Sequence, residues 1–169
     1  MVKNLDHLKG IRTYLAGPIS AVTDEEAKAW RNIASAALTQ MGIIVSDPTQ
    51  KEECAGLDEI GDDRVYLQML KDTGKWYEHH KRVKKIVRAD LKQVDRADFL
   101  IAYIPPDVPM VGTIHELVLA NLQKKAVFAF SGCPRSQVNS WLLYLIGEDR
   151  VFETLENILE YVPTQSRKT

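Results

Sequence analysis

The chain has 169 residues, enough for one domain without a stabilising metal or disulfide, and its 22 basic and 23 acidic side chains give a formal net charge of −1. Hydrophobic residues make up 45% and charged residues 27%, which is typical of a soluble globular domain and excludes a disordered or collagen-like chain. The balanced charge predicts that neither a nucleic-acid polymer nor a membrane is a partner, and no apolar run reaches the roughly 20 residues of a membrane span.

The first fifty residues have the pattern of a strand, a helix and a second strand. Residues 11–16 form a short apolar run, and residues 23–41 carry apolar side chains at three- and four-residue steps. Thr23 and Glu26 have the spacing of a capping box at the start of that helix. Residues 43–45 have the composition of a buried strand. This order predicts a βαβ unit and therefore a parallel sheet.

Residues 49–76 interrupt the pattern, with a short helix predicted only over residues 65–70. We interpret them as an insertion that acts as a lid or an oligomer contact, since long irregular loops are uncommon unless functional. Charge is uneven here. Residues 47–63 carry a net charge of −6 and residues 71–96 a net charge of +5. These segments are either solvated faces that attract each other, or the basic one steers a phosphorylated substrate.

The rest of the chain alternates helices and strands again. The pattern predicts helices over 77–96, 113–124, 136–146 and 154–162, strands over 99–104, 126–130 and 151–152, and a frayed tail over 163–169. Residues 1–169 therefore form one α/β domain, a three-layer sandwich with a mostly parallel sheet of four or five strands. Ligands bind such sheets beyond the carboxyl ends of the strands, so the loops after the strands are where we look for a site.

Glu116 is the first candidate for chemistry. It lies at the predicted start of a helix that follows a strand, where the helix dipole would keep its carboxylate ionised. An ionised carboxylate in a cleft can attack an anomeric carbon. Thr113 and Glu116 also have the spacing of a capping box, in which the glutamate only accepts a hydrogen bond from a backbone N–H. The segment alone leaves both interpretations open.

Asp90 is the second candidate, because it falls on the apolar face of the predicted helix 77–96 with Ile86 and Val94. A buried carboxylate is costly unless it is hydrogen-bonded or belongs to a site. There it can act as a general acid or bind the ring nitrogens of a base. A salt bridge to a neighbouring lysine or arginine is the alternative.

Further candidates lie at the ends of the first two predicted strands. Tyr14 belongs to the first strand and is either a site residue or a core aromatic. Gly17 permits close approach of a ligand, and the loop from Gly17 to Ser20 leads into a helix N-terminus that can hold an anion. Asp47 can bind a sugar hydroxyl or serve as a turn residue before a proline.

No metal site or cofactor is predicted. His79 and His80 are adjacent and cannot share one helix face, and Cys54, Cys133 and His115 lack the spacing of metal ligands. The two cysteines are far apart in sequence, so no disulfide is predicted between them. Unpaired cysteines are typical of a protein of the reducing cytoplasm.

Taken together, these segments resemble the nucleoside 2-deoxyribosyltransferase family and its nucleotide N-glycosidase relatives. The similar segments are Tyr14–Ser20, the helix with Asp90, Ala97–Ile104, and Gly112–Leu117 with Ala120, so that the resemblance covers most of Ile11–Phe130. It implies a Rossmann-like or flavodoxin-like α/β fold and a homodimer or higher homo-oligomer. Residues 49–76 have no clear counterpart in the family.

The resemblance also implies roles for individual residues. Glu116 matches the family's nucleophile, Asp90 its base-binding aspartate and Tyr14 the tyrosine that positions the glutamate. Asp107 is the aspartate nearest to the motif glycine Gly112 and would help to hold the substrate. Asn139 would represent an asparagine that a neighbouring subunit contributes to the site.

We therefore predict an enzyme that cleaves the N-glycosidic bond of a 2′-deoxyribonucleoside or deoxynucleotide through a covalent intermediate on Glu116 and passes the sugar to another nucleobase. One alternative is a nucleotide N-glycosidase, in which water is the acceptor. Others are a non-catalytic nucleotide-binding or sensing module and a flavodoxin-type redox protein. The sequence leaves open whether the base is a purine or a pyrimidine.

Overall fold

Parallel strands form one sheet at the centre of the protein. A computed structural model describes residues 5–50 and 59–165, and this part of the chain contains five strands in the order β2-β1-β3-β4-β5. The strands are β1 (Arg12–Ala16), β2 (Ile44–Ser46), β3 (Phe99–Tyr103), β4 (Ala126–Phe130) and β5 (Val151–Phe152). Every neighbouring pair is parallel, which confirms the predicted sheet. The strand order reverses between β1 and β3, where sheets of this type form their ligand crevice.

Helices cover both faces of the sheet. They are α1 (Asp24–Gln40), α2 (Gly61–Asp72), α3 (Trp76–Arg96), α4 (Val111–Leu122), α5 (Ser140–Ile146) and α6 (Leu155–Tyr161). Two apolar cores result, one beneath α1 and α6 and the other beneath α3, α4 and α5. The α/β three-layer prediction is thereby confirmed. Within the described ranges, no helix is both long enough and apolar enough to cross a membrane.

Alternation along β1 decides which side chains face the site. The strand is buried on both faces, as expected for a central parallel strand. Tyr14 and Ala16 point into the core beneath α3 and α4, whereas Leu15 points into the core beneath α1. The tyrosine therefore lies on the same side of the sheet as the helices that carry Asp90 and Glu116.

Several boundaries differ from the sequence prediction. The helix predicted over 113–124 begins two residues earlier, at Val111. The helix predicted over 136–146 is divided into a 3-10 turn at Arg135–Gln137 and α5, with Asn139 as the N-cap of α5. The insertion predicted over 49–76 contains α2, which packs on α3. Residues 51–58 of that insertion, with Cys54, and residues 166–169 of the predicted tail lie outside the described residues.

Candidate active site

A cleft opens between α3 and α4 beside the loop that follows β1. Its volume is about 120 Å³. Five residues that the sequence predicted for the site line this cleft: Gly17, Ser20, Asp90, Gly112 and Glu116. The cleft is also lined by Glu59, Thr113 and His115.

A short hydrogen bond joins Tyr14 to Glu116 at the floor of this cleft. The Tyr14 hydroxyl donates to Glu116 Oε1 at 2.6 Å, although the two residues are 102 positions apart in the sequence. Tyr14 is completely buried and Glu116 is 9% exposed. A carboxylate that accepts a hydrogen bond from a buried phenol is fixed in one orientation, with its other oxygen available to a ligand.

Glu116 does not cap its helix. The N-cap of α4 is Met110, which makes no side-chain capping bond, so Thr113 lies inside the helix and not before it. The capping-box alternative required Thr113 at the N-cap and is therefore wrong. Because α4 begins at Val111, Glu116 is its sixth residue and lies beyond the first turn.

Burial controls the ionisation of Glu116. Desolvation raises the pKa of its carboxyl from 4.5 to about 8, and the negative charges of Asp90 and Glu59 act in the same direction. The Tyr14 hydrogen bond and the positive charge of Arg31 oppose this shift. The expectation that the helix dipole keeps the carboxylate ionised at neutral pH is wrong, since the dipole acts mainly on the first turn.

Asp90 belongs to the same site and is carried by α3. It is buried on α3, as its helical spacing predicted, and it lines the cleft. Its negative charge raises the pKa of both Tyr14 and Glu116. The Tyr14 hydroxyl and the carboxyl groups of Asp90 and Glu116 thus lie close enough for their charges to interact.

Two arginines hold the loop that follows β1. Arg31 of α1 is fully buried, and its Nη2 donates to the Gly17 carbonyl at 2.8 Å while its Nε donates to the Leu15 carbonyl at 3.4 Å. Arg64 of α2 donates from Nη2 to the Ile19 carbonyl at 2.7 Å and from Nη1 to the Val22 carbonyl. The backbone that forms this wall of the cleft is therefore fixed from both sides.

Four predicted site residues do not line the cleft, and Tyr14 is one of them because it is buried beneath Glu116. Asp47 accepts hydrogen bonds from the backbone N–H and the hydroxyl of Thr49 and lies 3.7 Å from Arg31 Nε, because β2 ends away from the opening. Asp107 is exposed in the loop before α4. Asn139 accepts a hydrogen bond from the Trp141 N–H as the N-cap of α5.

Arg31, Glu59 and His115 escaped the sequence analysis as site residues. For Arg31 a signal existed, since it lies four residues after Ala27 and three before Ala34, in the buried register of α1. The helical pattern instead placed Ile33 on the buried face, and Ile33 is 55% exposed. Glu59 gave no signal, because it lies in the insertion that followed no pattern.

The titratable side chains that the structure describes do not form a metal site. No group of three or more His, Cys, Asp or Glu residues that could hold a metal ion occurs among residues 5–50 and 59–165. Cys133 is a free thiol in this part of the chain.

Sequence comparison identifies one family. The model described as Nucleoside 2-deoxyribosyltransferase matches residues 13–141, a range that includes all of β1 except Arg12, the site residues Glu59, Asp90 and Glu116, and the start of α5. A search of curated proteins finds no significant match.

Structural comparison finds the same fold in several proteins. The 2-deoxyribosyltransferase of Bacillus psychrosaccharolyticus is 20% identical with a TM-score of 0.56, and the alignment covers 89% of this chain and 91% of that chain. A conserved protein from Enterococcus faecalis V583 is 17% identical with a TM-score of 0.60 over 91% and 98% of the two chains. The CMP N-glycosidase BcmB of Clostridium botulinum is 12% identical with a TM-score of 0.52 over 90% and 98%.

Proposed function

The chain belongs to the nucleoside 2-deoxyribosyltransferase family, and from this premise we propose that it cleaves the N-glycosidic bond of a 2′-deoxyribonucleoside or deoxynucleotide and transfers the sugar to another nucleobase. The observation that carries the proposal is the hydrogen bond from Tyr14 to Glu116 inside a cleft that Asp90 also lines. This observation supports the proposal because an oriented carboxylate and a second carboxyl group, which can hold the departing base or its water, lie around one opening.

In the first step the free oxygen of the Glu116 carboxylate attacks C1′ of the sugar. A C1′–O bond forms as the C1′–N bond breaks, and the bonding electrons leave with the base nitrogen through an oxocarbenium-like transition state. Asp90, whose negative charge lies beside Glu116, binds the departing base through a water, and this water gives the base a proton that solvent replaces. Tyr14 holds Glu116 in the attacking orientation by its 2.6 Å hydrogen bond.

In the second step an acceptor attacks C1′ from the side that the first base left. The acceptor's nitrogen forms a new C1′–N bond, the ester bond to Glu116 breaks, and the carboxylate is released. The proton lost by the incoming base passes to solvent through the water that Asp90 holds, which returns the site to its starting state. Water in place of the second base gives hydrolysis, and similarity to a CMP N-glycosidase makes this outcome the alternative to test.

The assay follows free base by chromatography. The protein is incubated with each of the four common deoxynucleosides and their 5′-monophosphates, with and without a second base. With a donor that the enzyme accepts, we expect release of the donor's base. We expect a new nucleoside only when a second base is present as acceptor. Release without exchange identifies a hydrolase.

Glu116→Ala is the matched negative variant, and Glu160→Gln on the exposed side of α6 is the control for loss of one carboxylate elsewhere. Equal release by Glu116→Ala and the unmodified protein would contradict the mechanism. Stabilisation by nucleotides in a thermal-shift assay without any turnover would instead favour the sensing module.

We also propose that the protein is a homo-oligomer that associates through the outer face of α4 and α5. On this face Trp141 and Tyr144 are 83% and 84% exposed, and α5 carries no charged residue. Leu122 of α4 extends the apolar surface, and Asn139 lies at its edge as the cap of α5. Exposed apolar faces of this kind mark protein contacts.

Light scattering after size-exclusion chromatography tests this assembly. We expect at least a dimer at micromolar concentration and dissociation in Trp141→Glu. A monomeric unmodified protein would exclude an asparagine contributed by a second subunit.

A further inference from the structure

We infer that Glu59 is a specificity-determining residue that makes the cleft select an uncharged nucleoside over its 5′-phosphorylated form. The inference rests on the proposed function and names its substrate class. It follows from the charges around the cleft and from the way the nearby arginines are used.

The lining of the cleft is acidic. Glu59, Asp90 and Glu116 contribute three carboxyl groups, whereas no lysine or arginine from residues 5–50 or 59–165 lines the opening. A 5′-phosphate carries about −1.5 to −2 charges at neutral pH. Without a facing side-chain cation it would lose its hydration and meet three carboxyl groups, with only the N-terminal N–H groups of α4 at Val111 and Gly112 to offset them, which costs binding energy.

Both arginines next to the cleft are occupied by backbone carbonyls. In Arg31 the three guanidinium nitrogens donate to the carbonyls of Leu15, Gly17 and Ala27. In Arg64 they donate to the carbonyls of Ile19, Val22 and Glu59. Three of the five N–H donors of each guanidinium are thus used by the loop. Each guanidinium also faces a carboxylate, Asp47 at 3.7 Å for Arg31 and Asp24 at 3.0 Å for Arg64, so little of its charge is left for a phosphate.

The helix end beside this loop is also unsuited to a phosphate. Thr23 and Glu26 form a complete capping box, so the first backbone N–H groups of α1 are already partly satisfied. Asp24, Glu25 and Glu26 place three carboxylates in the first turn, where they neutralise the positive end of the helix dipole. The anion seat expected after Gly17 is thus filled by the chain's own acidic side chains.

Glu59 is held where it can contact a substrate. Arg64 Nε donates to its backbone carbonyl at 3.1 Å, and the next residue, Ile60, is the N-cap of α2. Its side chain lines the cleft, and its charge reaches Glu116. An ionised carboxylate only accepts hydrogen bonds, so it binds a sugar hydroxyl and repels a phosphate in the same place.

The test compares kcat/KM for deoxynucleosides and their 5′-monophosphates at pH 7.5. We expect the unmodified protein to favour the nucleoside by about tenfold or more, since like-charge contacts cost more than one factor of ten. Glu59→Gln keeps the shape and an acceptor oxygen but removes the charge. It should narrow the preference several-fold by raising kcat/KM for the monophosphate, whereas Glu160→Gln should leave the ratio unchanged.

Binding is measured in parallel, so that failure of the proposed function and failure of this inference can be told apart. If neither substrate releases base but calorimetry shows that the nucleoside binds more tightly and that Glu59→Gln narrows the gap, the proposed reaction fails and the role of Glu59 stands. A preference for the monophosphate in turnover or binding, or a ratio that Glu59→Gln leaves unchanged, overturns the inference.

Discussion

Replacing Glu116 by glutamine should change how the stability of the protein depends on pH. Burial raises the pKa of Glu116 from 4.5 to about 8 in the folded protein, so the folded state keeps its proton in a range where the unfolded chain has released it. Unfolding then releases a proton, and the free energy of unfolding falls as the pH rises from about 4.5 to about 8. Glutamine keeps an acceptor for the Tyr14 hydroxyl but cannot ionise, so Glu116→Gln lacks this loss.

The size of the effect follows from the two pKa values. The full difference corresponds to roughly 4–5 kcal/mol, and the part that falls between pH 5 and pH 8 to roughly 3 kcal/mol. For a protein of this length, 3 kcal/mol is a difference in Tm of roughly 10 °C. Glu116→Gln should therefore be close to the unmodified protein in stability at pH 5 and clearly more stable at pH 8.

Urea unfolding followed by circular dichroism at pH 5, 6, 7 and 8 measures this difference. Glu160→Gln removes an exposed carboxylate on α6 and should differ from the unmodified protein by a constant amount. If Glu116→Gln also differs by a constant amount, or gains most at pH 5, Glu116 is not the buried and protonated group that the structure describes.

Three further predictions concern turnover and packing. Because only the ionised carboxylate can attack C1′, kcat/KM should rise about tenfold per pH unit and level off near pH 8, and a flat profile would contradict the raised pKa of Glu116. Tyr14→Phe removes a hydrogen bond that stabilises the carboxylate, so kcat should fall by about 10- to 100-fold and the profile should move to higher pH; an unchanged profile counts against the contact. Gly17→Ala would place a Cβ 2.9 Å from Trp30 and 3.2 Å from Arg31 Nη2, and denaturant unfolding should show a loss of about 1–3 kcal/mol, whereas no loss means that the loop can move.

The layered fold could be predicted from the sequence because each strand and helix carries its own local pattern. The apolar runs and three- and four-residue steps placed every strand in the described part to within one residue. The burial of Asp90 was predicted in the same way, from its position between Ile86 and Val94 on α3. These features depend on residues close together in the chain.

The site could be predicted only in part, because its contacts join distant segments. Spacing alone could not separate a capping role for Glu116 from a role in a cleft. The start of α4 at Val111 and the Tyr14 hydrogen bond across 102 residues decide between them. The start of α4 at Val111 likewise depends on packing and not on a capping residue. Arg31 was missed because a charged residue in an apolar register is normally read as an exposed neighbour of the buried stripe.

The insertion was the least predictable part. Only a short helix over residues 65–70 was predicted within it, whereas α2 extends over Gly61–Asp72 and holds the loop after β1 through Arg64. An ion pair between Asp63 and Arg82 joins α2 to α3. This contact agrees with the interpretation that the acidic and basic segments attract each other.

The central claim is that Glu116 forms a covalent bond with the sugar. Its most direct test is to quench a reaction with a slowly turned-over 2′-fluorinated deoxynucleoside, digest the protein and measure the peptides by mass spectrometry. The account predicts a sugar adduct on the peptide that contains Glu116, and none in Glu116→Gln. Release of base with no adduct, or an adduct on a different residue, would contradict it.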